Sequence, residues 1–395
     1  MENVQPGTGK AIPFDAAKLD HLLEDANLDA VVVTSKHNVQ YLLGGYRFFF
    51  FDYMDAIGTS RYLPVFFYQK GRPENSAYIG YRLEGFEKEL GKFWTPVVKT
   101  SSSGSTDAIG HAVDHIKSLN GNIRRIGVES AFIPADAEKA LRQNLGNVEV
   151  VDGLFPLERL RAVKTPAELK LLREASERVV EAMQATFRRC RAGMTKIEIV
   201  DTLRKLEVER DLTFEYCLHT MGANLNRAHS EQALKAGDIM SLDSGGNYRG
   251  YIGDLCRMAI FAAEPDAELI DLLGHVEEIQ QAARKPIRNG ALGGEIYAAA
   301  EALTEKSRHL PYMEFLAHGM GLISHEAPRL ATSGGMNYTG YDADKPLATG
   351  MVISIETTMK HPQRGFVKLE DTVAVTDTGW EGFGDTARGW NKAGA

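Results

Sequence analysis

Cysteine is scarce in this chain, with 3 among 395 residues, at Cys190, Cys217 and Cys256. They are too few and too scattered for a disulfide framework or a thiolate metal site. An excess of basic charge is missing too. Lys and Arg number 45 against 53 Asp and Glu, a formal net charge of −8, which is the opposite of the basic surface that nucleic acid favours. No apolar run approaches the roughly 20 residues that cross a bilayer. The opening stretch, up to Asp20, has one early Lys and no apolar core, so it does not read as a secretory signal. A cytoplasmic location, with neither membrane nor nucleic-acid partner, is the expectation. What is present is ordinary for a globular chain: 44% hydrophobic and 25% charged residues, and a length that allows two domains with packed cores.

The first 155 residues read as alternating strand and helix. Leu28 to Thr34 is apolar and β-branched, Tyr62 to Tyr68 is similar, and Ile126 to Glu129 and Val148 to Val151 read as short buried strands. Helical stretches lie between them, at Ala16 to Ala26 and Asp107 to Leu119. This alternation predicts an α/β N-terminal domain over residues 1–155. The character changes near Pro156, and residues 156–395 form the expected second domain. Thr165, Pro166 and Glu168 make a capped helix start, and Thr195 with Glu198 makes another. The first helix runs to about Arg191 with Gly193 ending it, the second to about Arg210. Two more helices, Ala267 to Asn289 and Gly294 to Arg308, alternate with strands at Asp238 to Asp243, Leu255 to Phe261, Met351 to Glu356 and Val367 to Val375.

Those strands carry acidic residues in a telling arrangement. Alternation puts Asp243 on the face of Ser241, away from Met240 and Leu242. It puts Glu356 with Ser354, away from Ile353 and Ile355. Asp254 opens the next strand, and the Gly-rich Ser244 to Gly253 connection suits a tight antiparallel turn that brings Asp243 and Asp254 side by side. Glu356 and Glu370 are likewise separated by one hairpin, through His361 to Gly365. A lone Asp at a strand end is ordinarily a solvated turn residue. Two hairpins that each supply a pair, with His318 in a Gly-rich segment between them, suggest a shared site. Four carboxylates in one cavity stay ionised only if cations neutralise them.

The order Asp243, Asp254, His318-Gly319-Met320-Gly321, Glu356, Glu370 resembles the metallopeptidase group of methionine aminopeptidase, aminopeptidase P and prolidase (family M24), whose metal-free relative is creatinase. The segment from Ser241 to Arg257 also follows that family's Asp-x-Gly and Tyr-x-Gly-Tyr-x-x-Asp-x-x-Arg pattern, and Leu157 to Glu168 resembles its inter-domain junction. The resemblance implies a creatinase-like N-terminal domain followed by an α+β pita-bread catalytic domain with a curved, mainly antiparallel sheet. It implies that Asp243, Asp254, His318, Glu356 and Glu370 bind two divalent cations about 3.5–4 Å apart. Oxygen-rich ligation with a single imidazole suits Mn²⁺ on hardness, with Fe²⁺, Co²⁺ and Zn²⁺ as alternatives. The family pattern further implies that His229 sits in the substrate pocket, that His325 donates to the substrate carbonyl oxygen, and that Glu356 also shuttles a proton. A homodimer is the family expectation.

Three positions depart from the pattern. Lys368 stands where Arg is common, Cys256 where Thr is common, and Ser230 follows His229 where Tyr is frequent. Arg and Lys are not interchangeable at a bidentate site. Two substrate classes therefore stay open: an Xaa-Pro dipeptide or N-terminal Xaa-Pro bond, cleaved by a dinuclear hydrolase, and a small osmolyte or other non-peptide zwitterion, processed by a creatinase-like hydrolase or lyase. The aromatic run Phe48 to Phe51 is expected in a core or an interface, or as a lid over the substrate.

Overall fold

The computed structural model describes residues 10–53, 56, 62–119, 122–331 and 340–394. The chain divides into two compact units, Met1–Leu160 and Arg161–Ala395. The division falls beyond Pro156 because that proline lies in the first turn of a helix, Leu154–Arg161, where its missing N–H costs nothing.

The first unit contains β1 (Ala30–Val33), β2 (Val65–Gln69), β3 (Arg72–Tyr81), β4 (Val97–Ser102), β5 (Arg125–Val128) and β6 (Glu149–Asp152), in one sheet of order β4-β3-β2-β1-β5-β6. β1 pairs antiparallel with β2 and parallel with β5. Its unbroken apolar run follows from burial on both faces. Ala30 and Val32 pack into one core, with Ile109 and Leu141, while Val31 and Val33 pack into another, with Leu19 and Phe66. Helices α1 (Ala16–Asp25), α2 (Lys36–Leu42), α3 (Gly85–Glu89), α4 (Ser105–Ser118), α5 (Ala135–Leu145) and α6 (Leu154–Arg161) complete the unit. β3 and β4 are absent from the sequence reading. Charged and polar residues at Arg72 to Ser76, and Lys99 to Ser102, break the apolar alternation there. The aromatic run splits: Phe48 and Phe51 join Tyr62 and Tyr81 in a small core, Phe50 stacks on Tyr62 at 4.9 Å, and Phe49 is 59% exposed.

The second unit is built on a sheet of order β10-β11-β12-β9-β8-β7, with β13 added to β12 and β14 to β9. The strands are β7 (Thr213–Met221), β8 (Ile239–Tyr248), β9 (Tyr251–Phe261), β10 (Met313–Gly319), β11 (Val352–His361), β12 (Gly365–Val375), β13 (Trp380–Phe383) and β14 (Asn391–Ala393). All pairings are antiparallel except that of β14 with β9. Helices α7 (Pro166–Arg189), α8 (Lys196–Val208), α9 (Ala267–Arg284) and α10 (Gly294–Thr304) cover one face of this sheet. Met240 and Leu242 pack under α7 and α8, and Ile353, Ile355 and Val373 pack under α9 and α10. Both expected capping boxes form, with Thr165 and Thr195 each accepting from the N–H of the Glu three residues on. Three helices end earlier than expected, α10 at Thr304 instead of Arg308 among them. α7 stops at Arg189 because Cys190 is extended, leaving Gly193 in the following turn, and Pro286 lies just beyond the end of α9. Among the described residues, no helix is long and apolar enough to cross a membrane.

Candidate metal centre

Antiparallel register sets out the acidic residues on the sheet face that the helices leave free. Asp243 on β8 lies opposite Cys256 on β9, Cys256 opposite Glu370 on β12, and Glu370 opposite Glu356 on β11. The next rung carries Gly245 opposite Asp254, and Thr372 opposite Ser354, which in turn faces His318 on β10. Directly opposed residues project to the same face, so four carboxylates and one imidazole meet on two adjacent rungs. Both aspartates flank the two-residue turn at Arg249 and Gly250, where φ is positive at each position, the geometry that a tight hairpin requires. His318, in its Gly-rich segment, is the sixth residue of β10. The glycine after it is needed because a Cβ on Gly319 would lie 2.3 Å from the Ala327 carbonyl carbon.

All five groups form the floor of a cleft of about 800 Å³ or sit directly beneath it. Its walls mix apolar side chains, among them Leu218, Tyr297, Phe315, Leu316 and Phe366, with the charged Glu301, Glu314 and Lys360. Asp243, Asp254, His318 and Glu370 are buried, and Glu356 retains 14% side-chain exposure towards the cleft. Crowding shows in the protonation equilibria. Burial, with Glu370 against it, pushes the Asp243 carboxyl up to about 6 in spite of Lys368. Burial, Glu370 and Asp243 together hold Asp254 well above the usual carboxylate range. Burial opposes a charge on His318, yet attraction to Glu356 and Glu370 raises it to about 10. A cluster left to itself thus takes up protons, as like charges in one cavity must.

Three groups of donor atoms here are close enough to share an ion. One of them, Asp254 with His318 and His325, joins the other two across the rungs. The ligand atoms of Asp243, Asp254 and Glu370 lie within 4.8 Å of one another, as do those of His318, Glu356 and Glu370. Glu370 belongs to both. Asp254 Oδ1 and His318 Nε2 are buried without a hydrogen-bond partner, which is costly unless something else satisfies them. Hard carboxylate oxygens with one imidazole form a donor set suited to divalent cations. The residues present therefore fit the two ions.

The centre also contains a cation of its own, which sequence reasoning noted only as a substitution. Lys368 Nζ lies 2.6 Å from Asp243 Oδ2, 2.5 Å from Glu356 Oε2 and 2.8 Å from Glu370 Oε2. Burial disfavours the ammonium, but Asp243, Glu356 and Glu370 hold its pKa well above the usual lysine range. The signal was available, since Lys368 is two residues before Glu370 and so shares its face. Arg227 was missed altogether. It pairs with Asp243 and lines the cleft, and nothing local in the sequence marks it.

The remaining candidates separate. His325 stacks on His318 with ring centroids 3.8 Å apart, and it lines the cleft. Desolvation and the neighbouring His318 push it down to about 4, so it is a neutral imidazole at neutral pH. Its loop is pinned by Glu326, a fully buried carboxylate that pairs with Arg161 at 2.8 Å and Lys164 at 3.1 Å. His229 is not brought to the centre. It is exposed, its Nε2 lies 3.1 Å from the Cys217 carbonyl oxygen, and it is not among the residues lining the cleft. Tyr216 lines the cleft beside Asp254 and Ser324. Gly245 makes room for it, since a Cβ there would lie 2.4 Å from the Tyr216 ring. Arg257, part of the sequence pattern, points behind the sheet and donates to the carbonyls of Cys256 at 2.9 Å and Glu370 at 2.8 Å. Cys256 itself is a buried thiol between Asp243 and Glu370.

Comparison with known proteins agrees with this geometry. Residues 170–377 match the model of metallopeptidase family M24, and residues 16–163 match the creatinase/prolidase N-terminal domain. The uncharacterized peptidase YqhT of Bacillus subtilis is 23% identical over 375 residues, covering 92% of this chain and 95% of its own. A Xaa-Pro dipeptidase of Pyrococcus furiosus is 24% identical over 384 residues, covering 94% and 97%. The solved structure of a Xaa-Pro dipeptidase from Bacillus anthracis superposes with a TM-score of 0.80 at 22% identity, covering 95% of this chain and 98% of that one. The fold is therefore the two-part pita-bread architecture.

Proposed function

Because the chain belongs to metallopeptidase family M24, we propose that it is a dinuclear metal-dependent hydrolase of an amide bond, acting on Xaa-Pro dipeptides or the N-terminal residue before proline. The observation that carries this reading is the convergence of Asp243, Asp254, His318, Glu356 and Glu370 on one sheet face beneath an open cleft. One cation would be held by Asp243, Asp254 and Glu370, the other by His318, Glu356 and Glu370. When bound, such ions supply Lewis-acid polarisation of a carbonyl and a water that is nucleophilic at neutral pH. Mn²⁺ is the preferred identity on donor hardness.

The chain's own groups do the rest. Glu356 is the ligand most open to the cleft, so it takes a proton from the attacking water and returns it to the leaving nitrogen. Neutral His325, fixed against His318, donates a hydrogen bond to the carbonyl oxygen as negative charge gathers there. Lys368 and Arg227 keep Asp243 ionised. The apolar side chains of Leu218, Tyr297, Phe315 and Phe366 suit a prolyl ring.

One observation favours a second reading, a creatinase-like hydrolase or lyase of a small non-peptide zwitterion. The Lys368 ammonium by itself answers three of the four carboxylates, which lessens the need for metal. The test is a substrate panel of Xaa-Pro dipeptides beside small zwitterions, run on chelated and Mn²⁺-reconstituted protein. Dipeptide cleavage that is lost on chelation and restored by Mn²⁺ is expected. Turnover of zwitterions by chelated protein, with dipeptides untouched, establishes the second reading instead.

A further inference from the structure

Away from the cleft, α9 carries Asp271 and His275 one turn apart, so both project from one helix face. His309, in the link between α10 and β10, is buried against them, with its ring centroid 5.6 Å from that of His275. Ligand atoms of Asp271, His275 and His309 lie within 4.8 Å of one another. We propose that these three residues form a second metal site, separate from the acidic centre, that takes a borderline divalent ion of the zinc type.

The donor set argues for that class. Two imidazoles and one carboxylate are the ligands that Zn²⁺ favours, and they leave a fourth position for water. A hard ion such as Mn²⁺ prefers the oxygen-rich centre instead. The site already attracts positive charge. Arg308 donates to Asp271 Oδ2 at 2.6 Å and to His309 Nε2 at 3.0 Å. Nε2 of His309 is therefore the unprotonated nitrogen, with its lone pair directed at a cation shared with the carboxylate. Arg308 is 70% exposed along its side chain, so it can swing into solvent when an ion takes its place.

The other groups nearby do not compete as ligands. Glu278 lies 3.9 Å from His275 Nδ1, too far for a hydrogen bond. His361 stands 5.8 Å from His309, centroid to centroid, but its Nδ1 accepts from the backbone N–H of Gln363 and Arg364. It is a wall of the site. His309 leads through the turn Leu310–Tyr312 into β10, the strand of His318. An ion here would fasten α9 to the entry of that strand and act as a structural staple.

The experiment titrates metal-stripped full-length protein with Zn²⁺ and reads bound zinc by elemental analysis and the melting temperature, for wild type, His275→Ala and Arg308→Ala. His275 is a half-exposed helix position, so its variant folds. Wild type should retain one more zinc ion than His275→Ala and show an extra rise in melting temperature. Zinc affinity at this site should fall by about 100-fold or more on loss of His275, a ligand, since even partners of ligands are worth about 10–100-fold. Arg308→Ala should bind several-fold tighter, because a competing cation is gone. Equal zinc content and equal melting shifts in wild type and His275→Ala overturn the proposal. So does loss of Mn²⁺-supported activity in His275→Ala, which would mean that its metal belongs to the acidic centre.

Discussion

Replacing Lys368 with Met removes a buried ammonium while keeping most of its volume and apolar stem. Its Nζ is within 2.8 Å of Asp243, Glu356 and Glu370, and the lysine side chain is 3% exposed. Removing one partner of a buried ion pair costs about 3–5 kcal/mol, because the opposite charge is left uncompensated. Here three carboxylates lose the same partner, so metal-free Lys368→Met should lie at or beyond the upper end of that range. For a unit of this size each kcal/mol shifts the melting temperature by roughly 2–4 °C, so the loss should be on the order of 10 °C or more in chelator. Divalent ions supply the missing charge and should restore the variant. A ligand at 100 times its dissociation constant adds about 2.7 kcal/mol, and its stabilisation should be larger in Lys368→Met than in wild type. Lys368→Arg should fall between them. Thermal unfolding of the three proteins, with chelator and with Mn²⁺, measures this directly. If chelated Lys368→Met melts with wild type, or gains no more from Mn²⁺, then the ammonium does not balance the cluster.

Other outcomes follow from the same geometry. His325→Ala should lower kcat by about 10²–10³-fold with little change in melting temperature, as expected for a lost donor to a developing oxyanion; unchanged steady-state kinetics would rule that role out. Glu207 should make stability fall as pH rises. Burial raises its pKa from 4.5 to about 8, so its contribution is intact below 4.5 and is lost as pH climbs through 8. Ser244 Oγ lies 2.8 Å from both Glu207 Oε1 and the Tyr216 carbonyl oxygen. The carbonyl takes the hydroxyl's hydrogen, so the carboxyl must supply its own. Glu207→Gln keeps that donor and should gain about 3 kcal/mol at pH 7, read as a higher urea midpoint there and an equal one near pH 4. In the aromatic run, Phe51→Ala should destabilise the N-terminal unit by about 3–5 kcal/mol. Phe49→Ala should leave melting unchanged, and a shift in its KM would identify the exposed ring as a substrate wall.

Local chemistry was the readable part of this sequence. Thr165 with Glu168, and Thr195 with Glu198, announce their helices because a cap is made by neighbours in sequence. Asp243 paired with Asp254, and Glu356 with Glu370, were legible because each pair flanks one short turn. β7 and β10 escaped notice since each is partly exposed and interrupts its apolar residues with polar ones. Arg227 reaches Asp243 only through the folded return of its loop, and the same loop carries His229 outward. Lys368 lay in plain view as an even-numbered neighbour of Glu370, but its contact with Glu356 depends on a strand register that the sequence does not state.

The ligands sit on neighbouring rungs of β8, β9, β12, β11 and β10. Their mutual spacing is therefore measured out by backbone hydrogen bonds, which cannot stretch or creep by fractions of a residue. A slip comes in whole residues, and a one-residue slip turns every donor on the slipped strand to the opposite side. Ion capture at this centre should consequently come in steps during folding: a slip of β10 alone removes His318 from its group and leaves the Asp243, Asp254 and Glu370 group formed, so metal uptake reports which part of the ladder has closed correctly.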